Sequence, residues 1–288
     1  MTTQILPAPA KVNLFLRVTA LLTNGYHTLD TAFAFVDVAD HLHFTPADRL
    51  HITCSRPHLN GEDNLVHQLL QAVREKFRIR QGLEIFIDKQ LPEQAGLGGG
   101  SSDAATALIA ANRIWGLGLT RQQMIALSTP FGADIPCFLY GQASRAQGIG
   151  EQLQPWDSPL PSGFVLLAYP GTGLSTNAVF SHLDTTLTPS KGADSVRALS
   201  EPTIGCNDLQ AHACALLPAV STLLTAMQQG AKHAWMSGSG SCCVALFDQR
   251  ASAETMAARL QHDGLAPWVH IGRLLAQHPA FDSYNDVA

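Results

Sequence analysis

Charge is scarce in this chain of 288 residues: 14% of positions are charged, and 18 basic against 23 acidic side chains leave a formal net charge of −5. The basic residues are scattered and build no stripe, which argues against a nucleic-acid partner. Long apolar runs are also missing. None approaches the ~20 residues that a membrane-crossing helix needs, and Met1-Thr2-Thr3-Gln4-Ile5-Leu6-Pro7 has neither the basic start nor the apolar stretch of an export signal. A cytoplasmic protein with no membrane partner is the expectation. The six cysteines include no Cys-x-x-Cys pair, and adjacent Cys242 and Cys243 would form only a strained bridge, so reduced and mostly buried thiols are expected. Twelve histidines are present without a His-Glu-x-x-His pattern. His41 and His43 form a same-face pair on a strand, so no protein metal centre is expected.

What the chain does have is glycine in one place. Leu91-Pro92-Glu93-Gln94-Ala95-Gly96-Leu97-Gly98-Gly99-Gly100-Ser101-Ser102-Asp103 runs directly into the alanine-rich stretch Ala104 to Ala111. Glycines let a backbone approach an anion closely, and a helix start behind them offers unpaired N–H groups and a positive dipole end. The segment reads as a phosphate cradle. It lacks the Gly-Lys-Ser/Thr of the common nucleoside triphosphatases and the spacing of dinucleotide-binding loops. The competing reading is a plain turn capped by Ser101 or Ser102, with Asp103 favouring the helix dipole.

Elsewhere the chain alternates between strand and helix patterns. From Ala10 to Thr19, Val12, Leu14, Leu16 and Val18 fall on one face and Lys11, Asn13, Phe15 and Arg17 on the other, so Lys11 and Asn13 project together. Asn24-Gly25 predicts a hairpin turn into a second strand from Tyr26 to Val38 that His41 to Phe44 extends. Helical spacing covers Asn64 to Phe77, and Leu83 to Ile87 is a short strand leading to the glycine loop. Thr120 caps a helix through about Leu127. Three prolines between Gln154 and Gly163 mark a domain boundary, giving domains 1–157 and 158–288. Residues from Thr185 to about Pro202 lack periodicity and read as a mobile loop. Ser237-Gly238-Ser239-Gly240-Ser241 joins two short strands as a hairpin, and the tail from about Gln277 is expected to fray.

Three blocks in this order, Pro9-Ala10-Lys11-Val12-Asn13-Leu14, Ala95-Gly96-Leu97-Gly98-Gly99-Gly100-Ser101-Ser102 and Met236-Ser237-Gly238-Ser239-Gly240, resemble the GHMP small-molecule kinases. The name covers galactokinase, homoserine kinase, mevalonate kinase and phosphomevalonate kinase. Asn24-Gly25-Tyr26-His27-Thr28-Leu29, Gly132-Ala133-Asp134-Ile135-Pro136-Cys137-Phe138 and Asn207-Asp208-Leu209 narrow the likeness to the branch whose substrate carries a cytidine diphosphate. It spans about Pro7 to Phe247.

The resemblance implies an α+β, two-domain GHMP kinase fold. An N-terminal ATP-binding domain of ribosomal-protein-S5-domain-2-like type would be followed by a C-terminal α/β sandwich of ferredoxin-like type, with the active site in the cleft between them. It implies phosphorylation of the 2-hydroxyl of a cytidine-diphosphate-linked methylerythritol by ATP with Mg²⁺. Asp134 and Lys11 would be catalytic. Leu97, Gly98, Gly99, Gly100, Ser101 and Ser102 would hold the nucleotide, and Asn13, Tyr26, His27 and Phe180 the substrate. A monomer or weak homodimer binding only small molecules is expected. The chemistry fits, because phosphoryl transfer needs alignment and charge neutralisation more than a strong base. Taken singly, Lys11 is equally a solvated strand lysine and Asp134 a helix cap before Pro136. Another acceptor, mevalonate or homoserine, and a non-catalytic nucleotide-binding regulator are the alternatives. The long polar side chains of Glu93 and Gln94 depart from the family, which often has a small residue there, and no carboxylate pair is evident for magnesium. That metal would be held chiefly by the phosphates with Ser101 or Ser102.

Overall fold

The structure, a computed structural model, describes residues 3–22, 25, 27–184 and 203–282. Asn24, Tyr26 and the segment from Thr185 to Pro202, for which a hairpin turn, a substrate contact and a mobile loop are expected, lie outside the described residues.

A long hairpin organises the first unit. Strand β1 (Gln4–Leu21) pairs antiparallel with β2 (His27–Ala47). Strand β3 (His51–Cys54), helix α1 (Leu65–Phe77), strand β4 (Gly82–Asp88) and helix α2 (Gly99–Ile114) follow. Next come α3 (Arg121–Ser128), α4 (Ile135–Tyr140), β5 (Ser144–Gly148) and β6 (Gln152–Pro155). The sheet runs β3-β4-β2-β5-β6, with β1 also paired to β2. Asn64 starts α1 by accepting the Val66 amide at 2.9 Å, and Thr120 caps α3 as the sequence predicts, in a capping box with Gln123. Helix α2 is buried from Ser102 to Ala111. Its alanines allow close packing against α1 and the sheet through Leu69, Leu70, Leu42, Phe44 and Ile85.

One expectation about β1 is corrected. Alternation holds to Asn13 and then breaks: Asn13 faces Phe33 while Phe15 faces Ala32, so Leu14 is an extra residue in a bulge. Beyond it the faces exchange. Leu16 and Val18 join the core of the second unit, whereas Phe15 lies on the opposite side with Leu14, Ala32 and Ala34. The sequence could not reveal this, because apolar residues occupy both sides of the strand.

The second unit begins with β7 (Phe164–Tyr169) and α5 (Thr176–Asp184), then α6 (Gln210–Leu216), α7 (Pro218–Gln228), β8 (His233–Met236), β9 (Cys243–Phe247), α8 (Arg250–His262) and β10 (Trp268–Gly272). Its antiparallel order β10-β7-β9-β8 is that of a ferredoxin-like sandwich. Leu223, Leu224, Met227 and Leu260 of the helices cover one face. The other face, with Val165, Leu167, Trp235 and Val244, packs on Ala10, Val12, Val36 and Leu97 of the first unit.

The chain then returns to the first unit. Strand β11 (Leu274–Leu275) pairs with Val36 and Phe35 of β2, and helix α9 (Pro279–Asp282) follows. His278 is fully buried among Phe35, Phe138 and Phe281. The frayed tail expected from Gln277 is therefore corrected through Asp282, because this aromatic contact holds it. Burial drives the His278 imidazole down to about 3, so it is neutral.

Candidate active site

A cleft of about 1240 Å³ lies where the two units meet. Its floor is the glycine loop. Gly96 and Gly98 have φ of 74° and 71°, a region that suits glycine, and neither has room for a side chain. A Cβ on Gly96 would sit 2.1 Å from the Ser237 carbonyl oxygen, and one on Gly98 would sit 2.9 Å from the Phe138 ring. The left-handed Gly98 starts α2 without any side-chain cap, which corrects the serine-capped turn. The first intrahelical bond is donated by Ser102 to the Gly98 carbonyl at 2.8 Å. The amides of Gly99, Gly100 and Ser101 thus precede the helical ladder at its positive end, the arrangement that binds phosphate.

The second glycine cluster is both a hairpin and part of the cleft. The Ser237 hydroxyl accepts from the Asn13 amide at 3.2 Å and donates to the Gly96 carbonyl at 3.0 Å. Asn207 donates to the Met236 and Gly238 carbonyls at 2.7 and 2.8 Å, while Asp208 accepts the Val18 amide at 2.9 Å. The three blocks are therefore one hydrogen-bonded assembly.

Lys11 is 3% exposed and lies 3.5 Å from Asp134. It donates to Asn13 Oδ1 at 2.7 Å and lies over the Phe33 ring, 5.4 Å from its centre. It is no solvated lysine. Asp134 precedes α4 with helical φ and ψ of −86° and −15° and makes no side-chain cap. Its carboxylate is 40% exposed and turns to Lys11, so the helix-cap reading is also corrected. Farther along the cleft, the His27 and Phe180 rings lie 4.8 Å apart, inclined by 31°. His27 is the first residue of β2, paired with Leu21.

Known families match the chain over its length. The model of the GHMP kinase N-terminal domain matches residues 64–142 and that of the C-terminal domain residues 198–264. A 4-diphosphocytidyl-2-C-methyl-D-erythritol kinase of Dechloromonas aromatica is 40% identical over 277 residues, covering 95% of this chain and 97% of its own. Its counterpart in Nitrosomonas europaea is 38% identical, with 96% and 99% covered. This chain belongs to the 4-diphosphocytidyl-2-C-methyl-D-erythritol kinases of the GHMP family. A crystal structure of a 4-(cytidine 5'-diphospho)-2C-methyl-D-erythritol kinase superposes with a TM-score of 0.77 at 31% identity, covering 94% of this chain and 99% of that one. The mevalonate kinase of Methanococcus jannaschii, 13% identical with a TM-score of 0.68 and 95% and 99% covered, shares the fold.

Within this kinase, Leu97, Gly98, Gly99, Gly100 and Ser101 line the cleft with Lys11, Asn13, His27, Asp134 and Phe180. Ser102 is fully buried in α2 and is not among the lining residues. Tyr26 lies outside the described residues. Gln94 has φ of 50°, and its carbonyl accepts the Leu174 amide at 3.0 Å. Glu93 is held by Arg56 at 3.0 Å and His58 at 2.9 Å. Both residues of this polar pair line the cleft, Glu93 held through its carboxylate and Gln94 through its backbone.

Sequence reasoning missed Lys89. Its ammonium, 5% exposed, bridges Asp40 and Asp103, the latter at 2.8 Å. Asp40 also accepts the Gln90 and Leu91 amides at 2.6 and 2.8 Å, whereas Oδ1 of Asp103 has no partner. One cation faces two carboxylates, of which Asp40 is the better bonded. Burial pushes Asp103 up to about 7 against the opposing charge of Lys89. Burial works against the Lys89 charge too, but Asp103 and Asp40 outweigh it and hold the ammonium above the usual lysine range. A Cβ on Gly99 would lie 3.4 Å from this ammonium, so a buried positive charge underlies the start of α2. The signal was a lysine ten positions before Gly99 at the end of a strand.

Proposed function

We propose that this kinase transfers the γ-phosphoryl group of ATP to the 2-hydroxyl of 4-diphosphocytidyl-2-C-methyl-D-erythritol, an intermediate of non-mevalonate isoprenoid synthesis, releasing ADP. The observation that carries this reading is the Lys11–Asp134 pair, 3.5 Å apart, which lines the same cleft as the glycine loop and the His27–Phe180 rings.

The nucleotide phosphates fit against the amides of Gly99, Gly100 and Ser101, where glycine leaves the backbone open. A Cβ on Gly100 would meet nothing within 4 Å. The flat, apolar-faced rings of His27 and Phe180 suit a pyrimidine base. Asp134 orients the acceptor hydroxyl and receives its proton as the new O–P bond forms and the bond to ADP breaks. A carboxylate suffices because the transition state is loose and the proton leaves late. Lys11 offsets the charge of Asp134 and of the moving group. Magnesium would arrive with the nucleotide. Among the described residues no group of three His, Cys, Asp or Glu could hold a metal, so the phosphates themselves, with the Ser101 hydroxyl, would carry the ion, which keeps several waters in such sites. It would supply charge neutralisation.

The test is ADP release from ATP and Mg²⁺ with the cytidine substrate, mevalonate or homoserine. Turnover with the cytidine substrate alone, lowered ~10²-fold or more in Asp134→Ala with ATP affinity kept, supports the reading. Turnover with mevalonate or homoserine instead overturns the substrate, and full activity in Asp134→Ala removes that residue from the mechanism.

A further inference from the structure

We infer that Thr31 is a positioning residue for phosphoryl transfer: its hydroxyl fixes the orientation of the Asn13 carboxamide, which in turn aims the Lys11 ammonium. This rests on the kinase reading above and deepens it.

Thr31 lies on β2, is 1% exposed and faces Leu16 in the β1 ladder. A hydroxyl has one proton, and that of Thr31 goes to the Phe15 carbonyl at 2.5 Å. Only its lone pairs remain, so whatever approaches must donate. Asn13 Nδ2 does so at 2.8 Å. From the other side Lys11 carries donors only and needs an acceptor, which is Asn13 Oδ1 at 2.7 Å. Both neighbours independently impose the same orientation on an amide that is otherwise nearly symmetric in shape. Turned over, the amide would set Nδ2 against the ammonium and Oδ1 against a hydroxyl oxygen whose proton is already used.

The rest of Asn13 is fixed from the second domain. Its N–H donates to Ser237 at 3.2 Å and its carbonyl accepts the Trp235 indole N–H at 2.8 Å. Asn13 is 2% exposed and is bonded at both ends of its side chain within the protein, so its part is to hold Lys11. The hydrogen-bond chain from the Phe15 carbonyl through Thr31 and Asn13 ends on the ammonium that pairs with Asp134. Such a chain polarises each member in the same sense. Thr31 lines the cleft, but its hydroxyl is spent within the protein and therefore acts on the reaction through two side chains.

The experiment is steady-state kinetics on Thr31→Val, whose side chain keeps the volume and the strand preference but loses the hydroxyl. Expected is a fall in kcat of ~10-fold or more with KM for ATP within about twofold, and recovery to about wild-type kcat in Thr31→Ser. A Thr31→Val enzyme with unchanged kcat overturns the inference, and so does a Thr31→Ser enzyme as slow as Thr31→Val, because a hydroxyl at this position would then not be enough to hold the carboxamide. If the valine variant does not fold, Thr31→Ala is read for the same split. A double-mutant cycle with Asn13→Asp adds an independent check, since a carboxylate offers an acceptor to Lys11 whichever way it turns. The Thr31→Val loss should shrink in that background, and equal losses in both backgrounds overturn the relay. Lack of turnover by the wild-type chain would instead sink the kinase reading, which separates the two failures.

Discussion

The Ser237 hydroxyl of the second domain donates to the Gly96 carbonyl of the first at 3.0 Å. Ser237 is fully buried and also receives the Asn13 amide, so one side chain ties the first glycine loop to the strand that carries Lys11. In Ser237→Ala the Asn13 amide loses its partner, which costs ~1–3 kcal/mol for a buried donor. Thermal unfolding should show a lower Tm, and kinetics a higher KM for ATP. An unchanged Tm would show that the contact contributes nothing to joining the domains.

The glycines divide by what surrounds them. Gly98→Ala should destabilise the protein whether or not nucleotide is present, because φ is positive and Phe138 fills the space. Gly100→Val should leave Tm of the free protein nearly unchanged, as its side-chain direction is open, yet weaken ATP binding ~10-fold by blocking close backbone approach. Calorimetric titration with ATP checks both. Normal ATP affinity in Gly100→Val would refute the cradle.

Lys89→Met leaves Asp40 and Asp103 facing each other in a nearly dry site. Breaking a buried ion pair by removing one partner costs ~3–5 kcal/mol, and chemical denaturation should show a loss of that order. Lys89→Met with Asp103→Asn should recover part of it. A single variant as stable as the wild type would show that the cluster is not a structural cation site.

His278 gives stability a pH dependence of known sign. Its folded value, about 3, lies below the ~6.5 of a free imidazole, so between those values the unfolded chain binds the extra proton. Stability contributed by the neutral ring is thus full above pH ~6.5 and is lost as pH falls toward 3. His278→Leu should flatten this limb by up to one proton, ~1.4 kcal/mol per pH unit. Urea melts at several pH values measure it, and parallel slopes in the two proteins would contradict the assignment.

What the sequence made legible was local. Four glycines before an alanine run announce a helix start that can hold an anion, and Lys11 and Asn13 two apart on a strand must share a face. Asp134 was legible as a site member only through the resemblance of its block to a family, because its pairing with Lys11 spans more than a hundred positions and no local pattern links the two. Lys89 stayed hidden for the same reason: Asp40 is 49 and Asp103 14 residues away, and an isolated lysine after a strand looks like any solvated one. The bulge at Leu14 was invisible since both faces of β1 are apolar, and the Thr31 relay depends on a bulge carbonyl, that of Phe15. The link from the second glycine cluster to the first is a matter of tertiary docking. Only the combined resemblance of the blocks pointed to it.

Because His278 completes the aromatic core around Phe35 and Phe138, residues near the start and the end of the chain must meet before the first lobe is finished. On the ribosome the first unit is therefore expected to wait, with its core open, until the residues around His278 have emerged, although its other residues are made first. The second unit, whose strand β10 ends at Gly272, has all its strands before the residue that completes the first.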